Sequence, residues 1–207
     1  MKAVVLVSGG IDSPVALYIM AKKMECIALH MDNRPFGGDG EKVTGLVRHI
    51  SGITGRKIEL LTVPFGSMVQ REIYEKCEER YRCVMCKRMM YRVAEEIGRN
   101  EGAEIIVTGE NLGQVASQTL QNLMVMESAI GMPVVRPLVG LDKEEIISIA
   151  KRIGTYEISI KKSEPCSLVP SKPATSAPAD VIKAEEEKID VEGMIKRAKS
   201  RAIMEKL

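Results

Sequence analysis

"VVLVSGGIDSPVALYIM", residues 4–20, runs from four aliphatic residues through a glycine pair and an acid into a segment with helical spacing. A buried strand that merely turns into a helix can do so with many residue types. Ser8, Gly9, Gly10, Asp12 and Ser13 together ask for more. Gly9 and Gly10 let the backbone approach a ligand closely and aim consecutive N–H groups at it. The helix that starts near Ser13 adds its positive dipole end. The turn is an anion cradle, most naturally for phosphate. The lysine-containing pattern GxxxxGK[ST] is absent, which excludes an ordinary loop for γ-phosphate transfer. The plainer alternative is a glycine turn capped by Asp12 or Ser13.

Outward from this stretch, two periods alternate. Short apolar or β-branched runs at 4–7, 26–31, 58–63, 105–108 and 133–135 predict strands, and helical spacing covers 14–23, 41–53, 67–77, 86–99, 113–130 and 143–152. The expected class is α/β, a mostly parallel twisted sheet with helices on both faces, whose ligands collect at the carboxyl ends of the strands. Residues 163–178 hold four Pro among Ser, Thr and Lys and predict a long irregular loop. From 180 to 207 the spacing is helical again. The expected organisation is a main domain over 1–179, including a cysteine-bearing loop at 163–179, with a helical tail at 180–207 packed on it or extending from it.

The chain has 207 residues, enough for one ordinary domain with its own core. Its 30 basic residues nearly balance 28 acidic ones, so a polynucleotide would need a local patch. With no Trp and two Phe, a base-stacking platform for single strands is excluded as the main device. No stretch reads as a signal peptide or membrane span, and the expectation is a soluble, cytoplasmic protein with no membrane partner. In such a compartment five Cys predict thiols, metal ligands or redox groups rather than structural disulfides.

SGGIDS resembles the SGGxDS loop of the PP-loop ATP pyrophosphatases, which cleave ATP between the α- and β-phosphates. "VTGENLGQVASQTLQNL" (107–123), "RPLVGLDKEEIISIAKRIGT" (136–155), "EPCSLVPSKPAT" (164–175) and "KAEEEKID" (183–190) narrow this further. They are similar to the catalytic region of ThiI-type tRNA sulfurtransferases, which make 4-thiouridine. The resemblance implies an adenine nucleotide alpha hydrolase-like fold, and it implies that neither the family's N-terminal tRNA-holding domains nor the rhodanese extension of some members is present. The family reaction is adenylation of a uridine carbonyl oxygen by ATP, followed by displacement of AMP by sulfur. ATP and Mg²⁺ are thereby implied as cofactors, and tRNA and a sulfide or persulfide donor as partners. Ser8, Gly9, Gly10, Asp12 and Ser13 would hold phosphates, Asp12 would also position Mg²⁺, and Lys143 would neutralise departing pyrophosphate. Thr108, Gly109 and His30 would border the nucleotide, and Glu110, Gln114, Ser117, Gln118 and Thr119 would reach ATP or the uridine. For these polar residues helix capping is the rival role. Lys196, Arg197, Lys199 and Arg201 form a thin basic group, so tRNA binding is expected to need a homodimer or a separate tRNA-binding protein.

"RCVMCKRMM" places Cys83 and Cys86 at CxxC spacing near an expected helix start, where the dipole and Arg82, Lys87 and Arg88 favour thiolates. Cys166 stands where the resemblance puts the family's sulfur-handling cysteine. Three readings stay open: Cys83, Cys86 and Cys166 ligate an iron–sulfur cluster with one iron left for sulfide; the pair resolves a persulfide on Cys166; or the thiols only pack. Cys26 is expected in the core and His49 at the surface. Two other functions share the loop, an amidating ligase such as an NAD or GMP synthetase, and a non-catalytic nucleotide-binding cluster module.

Overall fold

The computed structural model describes all 207 residues, Lys206 by its backbone alone. Six strands form one sheet in the order β5-β4-β1-β2-β3-β6: β1 (Lys2–Leu6), β2 (Glu25–Met31), β3 (Glu59–Val63), β4 (Ile105–Val107), β5 (Val134–Val135) and β6 (Ile203–Lys206). The first five are parallel. The chain builds β1, β2 and β3 in one direction and then crosses back to lay β4 and β5 on the other flank of β1. The reversal opens a crevice at the carboxyl ends of β1 and β4, where sheets of this kind take ligands.

Alternation along the strands feeds two cores. Ala3 and Val5 of β1, with Cys26 and Ala28 of β2, face α1 (Asp12–Ala21), α2 (Gly40–Thr54) and α6 (Lys143–Arg152). Val4, Ile27 and Leu29 face the opposite layer, α3 (Arg71–Lys76), α4 (Arg82–Asn100), α5 (Leu120–Glu127), α8 (Ala179–Glu186) and α9 (Val191–Ser200). A short helix, α7 (Tyr156–Ser159), follows α6. Because both faces are covered, these strands read as continuous apolar runs. Asp142 starts α6 through a capping box, accepting from Glu145 N at 2.8 Å while Asp142 N donates to Glu145 Oε2 at 2.8 Å.

Four expectations are corrected. The tail is not helical throughout: β6 pairs antiparallel with β3, Leu61 opposite Met204, and covers an edge that would otherwise stay open. Pairing across more than 140 residues is a tertiary effect that local spacing does not carry. The segment 113–130 is split into a 3-10 turn at Ala116–Gln118 and α5, because Thr119 is extended and caps α5 by accepting from Asn122 N at 3.2 Å. The segment 67–77 begins as a π-helical turn, Gly66–Gln70, before α3. His49 is half-buried rather than on the surface, since its Nε2 meets Ile153 O at 2.7 Å and ties α2 to the end of α6.

Candidate active site at the switch point

Between β1 and α1 the chain folds back on itself through Ser13, whose Oγ accepts from Ser8 N at 2.8 Å and lies 3.1 Å from Ser8 Oγ. The end of β4 presses against this turn: a Cβ on Gly109 would stand 2.6 Å from Ser13 N, so only glycine fits there. From beneath, the loop is braced by Lys42, only 7% exposed, whose stem lies against Gly9. The Lys42 ammonium donates to Lys161 O at 2.6 Å, Ser163 Oγ at 3.1 Å and Ser159 O at 3.2 Å, and Ser159 Oγ in turn donates to Gly10 O at 3.2 Å. Across the mouth, Lys143 Nζ donates to Asp12 Oδ1 at 2.6 Å and to Gln114 Oε1 at 3.3 Å. The first residue of α6 thus meets the first residue of α1, 131 positions earlier.

A cavity of about 380 Å³, the loop cavity, opens beside the turn. Ser8, Gly10, Asp12, Ser13, Thr108, Gly109, Glu110 and Gln118 all line it. Glu110 is buried at its back. Lys87 Nζ approaches at 3.0 Å, Thr108 Oγ1 donates at 3.1 Å, Arg136 Nε at 3.2 Å, and the Tyr91 hydroxyl donates as well. Burial opposes the charged form of Glu110, yet Lys87, Tyr91 and Arg136 outweigh it and hold the carboxyl below its usual value. His30 is placed differently. Its Nδ1 meets Val7 O at 3.1 Å, burial holds the ring below the usual histidine range, and the side chain lines a separate cavity of about 430 Å³ beneath Gly9 and Gly10. Thr119 is occupied as the cap of α5, and its hydroxyl donates to Thr175 O at 2.7 Å.

A second cavity, of about 200 Å³, brings together Cys83, Cys86 and Cys166, and Ser117 lines it too. The first two sit in the first turn of α4; Cys166 comes from the long loop, which is tied down by Gly38 N to Glu164 O at 3.0 Å, Ser167 N to Phe36 O at 2.8 Å and Ala174 N to Arg80 O at 2.9 Å. Gln70, at the end of the π-turn, donates its amide to Cys86 Sγ at 3.4 Å and to Cys166 Sγ at 3.9 Å. The expected thiolates are reversed in this pair. Burial pushes the Cys86 thiol up to about 12 and raises Cys83 as well, against the pull of Lys87. Arg88 is turned away, its guanidinium on Glu186 at 2.8 Å. Among the described residues no three Cys, His, Asp or Glu side chains already stand together as a ligand set. All five cysteines are free; Cys26 and Cys77 are buried elsewhere in the two cores.

Asn33, Lys87 and Met90 line both the loop cavity and the thiol cavity, which therefore share a wall. Sequence reasoning missed Asn33, Met90, Gln70, Lys42, Tyr91 and Arg136, and took Lys87 only as a neighbour of the cysteines. The basic group of the tail is partly spent, with Arg197 on Asp190 and Glu72, and Lys199 on Glu96. Among the described residues no helix is long and apolar enough to cross a membrane.

The chain is similar to several known proteins. A probable tRNA sulfurtransferase of Caldanaerobacter subterraneus subsp. tengcongensis is 46% identical over 199 residues, which cover 94% of this chain and 52% of that protein. A crystal structure of a 4-thiouridine synthetase in an RNA complex with bound ATP superposes with a TM-score of 0.93 at 38% identity, over 99% of this chain and 54% of that one. The U34-tRNA thiolase NcsA of Methanococcus maripaludis, solved with its [4Fe-4S] cluster, matches 97% of this chain and 72% of its own at a TM-score of 0.55 and 14% identity, a likeness of fold alone. The fold is thus that of the PP-loop ATP pyrophosphatases. The chain spans about half the length of the curated relatives it matches. The family description "Thiamine biosynthesis protein (ThiI)" matches residues 1–191. Because that match takes in the turn after β1, the cysteine pair and Cys166 alike, the chain belongs to the ThiI family.

Proposed function

We propose that this chain is an ATP-dependent tRNA sulfurtransferase that converts a uridine to 4-thiouridine. The observation that carries the reading is the shared wall between a cavity floored by the phosphate-type turn and a cavity lined by three thiols. An amide-like carbonyl is a poor electrophile and its oxygen a poor leaving group; adenylation cures both faults. The loop cavity receives ATP. The N–H groups of the turn and the hydroxyls of Ser8 and Ser13 hold the β- and γ-phosphates at the start of α1. Asp12 and Lys143, paired with each other across the mouth, separate onto Mg²⁺ and phosphate respectively. The Asp12 carboxylate would hold magnesium, which would neutralise the triphosphate charge. The uridine carbonyl oxygen attacks the α-phosphorus, pyrophosphate leaves past Lys143, and sulfur from the thiol cavity then displaces AMP.

Cys83, Cys86 and Cys166 fit a three-thiolate ligand set in kind and line one cavity, where the Gln70 amide reaches two of them, but they do not already stand together as a ligand set. An iron–sulfur cluster held by these three thiolates would supply an iron able to take sulfide. Binding it requires Cys83 and Cys86 to lose protons that burial otherwise retains, so metal uptake releases protons. A second reading rests on the thiols not being gathered as ligands. In it a persulfide on Cys166 attacks the adenylated carbon and expels AMP. Cys83 or Cys86 then takes the inner sulfur, which frees the thiouridine and leaves a disulfide for a reductant to reset. In either route a homodimer or a separate tRNA-binding protein holds the tRNA.

The deciding experiment incubates anaerobically purified protein with tRNA, Mg-ATP and, in separate arms, sulfide, ammonia or a persulfide donor, and measures AMP, pyrophosphate, iron and the tRNA nucleosides by mass analysis. Equimolar AMP and 4-thiouridine with iron present is the expected result. Incorporation of nitrogen from ammonia would show an amidating ligase, nucleotide binding without AMP a non-catalytic module, and iron-free thiolation from a persulfide donor the dithiol route.

A further inference from the structure

Buried polar atoms without a hydrogen bond concentrate at the two cavities. Among the described residues they include Asn33 Oδ1, Gln70 Oε1, Arg82 Nε and Gln118 Oε1, and each of these side chains lines the thiol cavity, the loop cavity or both. Such groups are costly to leave unpaired, and a polar ligand that completes them accounts for their presence together.

Asn33 stands apart from the rest. It lines both cavities and also the one beneath the turn. The backbone that carries it is pinned from several sides: Arg34 closes onto Asp32 at 2.6 Å, Phe36 N donates to Asn33 O at 2.8 Å, and Gly66 N donates to Asp32 O at 2.8 Å. Gly66 packs so closely on the carbonyls of Asn33 and Arg34 that no Cβ could be accommodated. The backbone of Asn33 is therefore fixed at the shared wall while the acceptor oxygen of its carboxamide stays unused. Of the other residues common to both cavities, Lys87 commits its ammonium to Glu110 at 3.0 Å and Met90 offers a thioether.

On the reading that the chain thiolates uridine, the target base must stand at the shared wall, its C4 oxygen toward the nucleotide and its C4 carbon open to sulfur. Uracil presents an N3–H donor between two carbonyl acceptors, and a carboxamide presents an acceptor and a donor side by side. We infer that Asn33 holds the N3 edge of the target uracil, Oδ1 accepting N3–H and Nδ2 donating to O2, which leaves O4 uncovered for adenylation. When the O4–phosphorus bond forms and the bond to pyrophosphate breaks, the ring releases its N3 proton to water. N3 is then an acceptor. The Nδ2 amide, which already donates to O2, shifts to donate to N3 instead, whereas an aspartate could accept but never donate.

The test uses the full chain and its Asn33→Ala and Asn33→Asp variants. Affinity for uridine and for N3-methyluridine is measured by saturation-transfer NMR with an ATP analogue that cannot be cleaved between the α- and β-phosphates. ATP affinity is measured by calorimetry, and 4-thiouridine formation on tRNA by mass analysis. The wild type should prefer uridine by about ten- to a hundredfold, the worth of one buried hydrogen bond. Asn33→Ala should erase that preference and lower 4-thiouridine formation by a similar factor, Asn33→Asp should keep the preference through its acceptor oxygen but not restore 4-thiouridine formation, and ATP affinity should stay within about twofold. Absence of a uridine signal, equal affinity for the two nucleosides, discrimination that survives Asn33→Ala, or lost ATP binding would each overturn the inference. Discrimination that depends on Asn33 without any 4-thiouridine leaves the inference standing and removes the thiolation reading. Equal 4-thiouridine formation by the wild type and Asn33→Ala does the reverse.

Discussion

The loop cavity and the thiol cavity share a wall and are built on opposite plans. The first stands on the carboxyl ends of β1, β2 and β4, and its critical surfaces are backbone, braced by a glycine contact at Gly109 and by Lys42 below. The second is made of side chains from a π-turn, the first turn of α4 and a long loop, and its walls are joined by single hydrogen bonds such as Gln70 to Cys86. Phosphate has one shape and suits a rigid backbone cradle. Sulfur must arrive, be held and be given up, and exchangeable thiols on adaptable segments suit that cycle.

The contrast predicts that damage on one side of the wall spares the other. Asp12→Ala should have the largest effect, lowering AMP formation by about a thousandfold, because on the proposed function the turn loses the carboxylate that would hold magnesium and Lys143 loses its partner. Thermal unfolding should move only slightly, since the change lies in a turn outside both cores. AMP release at saturating ATP and a melting scan check both halves. Next, Cys83→Ala, Cys86→Ala or Cys166→Ala should each abolish 4-thiouridine and lower iron content while ATP affinity stays within about twofold. Cys26→Ala should leave iron unchanged and cost only about 1 kcal/mol of packing.

Lys42→Met keeps the stem under Gly9 but strands the carbonyls of Ser159 and Lys161. It should lower stability by about 2 kcal/mol and weaken ATP binding with no change in iron, as denaturant melts and calorimetry would report. The smallest effect is a pH dependence. Glu110 has its carboxyl lowered on folding, so its contribution is complete above the unfolded value of about 4.3 and disappears as pH falls through the lower folded value. Glu110→Gln should therefore melt below the wild type near neutrality, and the gap should close as pH falls below about 4.3.

Much of the first cavity was legible in the sequence, because a strand, a glycine pair and a helix start lie within twenty residues and each obeys a local rule. The alternation of periods also located the five parallel strands. The second cavity was legible only as cysteines. Nothing local marks Gln70 or Asn33 as its neighbours, since both arrive through long-range packing. The expected thiolates failed because burial, a tertiary quantity, outweighs the charges written beside Cys83 and Cys86. Lys42 looked like any helix lysine, and β6 was hidden because its partner, β3, lies far back in the chain.

The wall common to the two cavities bears on waste. An adenylated uridine that meets water reverts to uridine, and one ATP is consumed with no product. Where the activated base can turn from one cavity to the next without leaving the protein, sulfur competes with water at an effective concentration set by geometry rather than by the bulk donor. On the proposed function, the yield of thiolated base per AMP would therefore depend on Asn33, Lys87 and Met90, and it should fall before either half-reaction does when that wall is thinned, as by Met90→Ala.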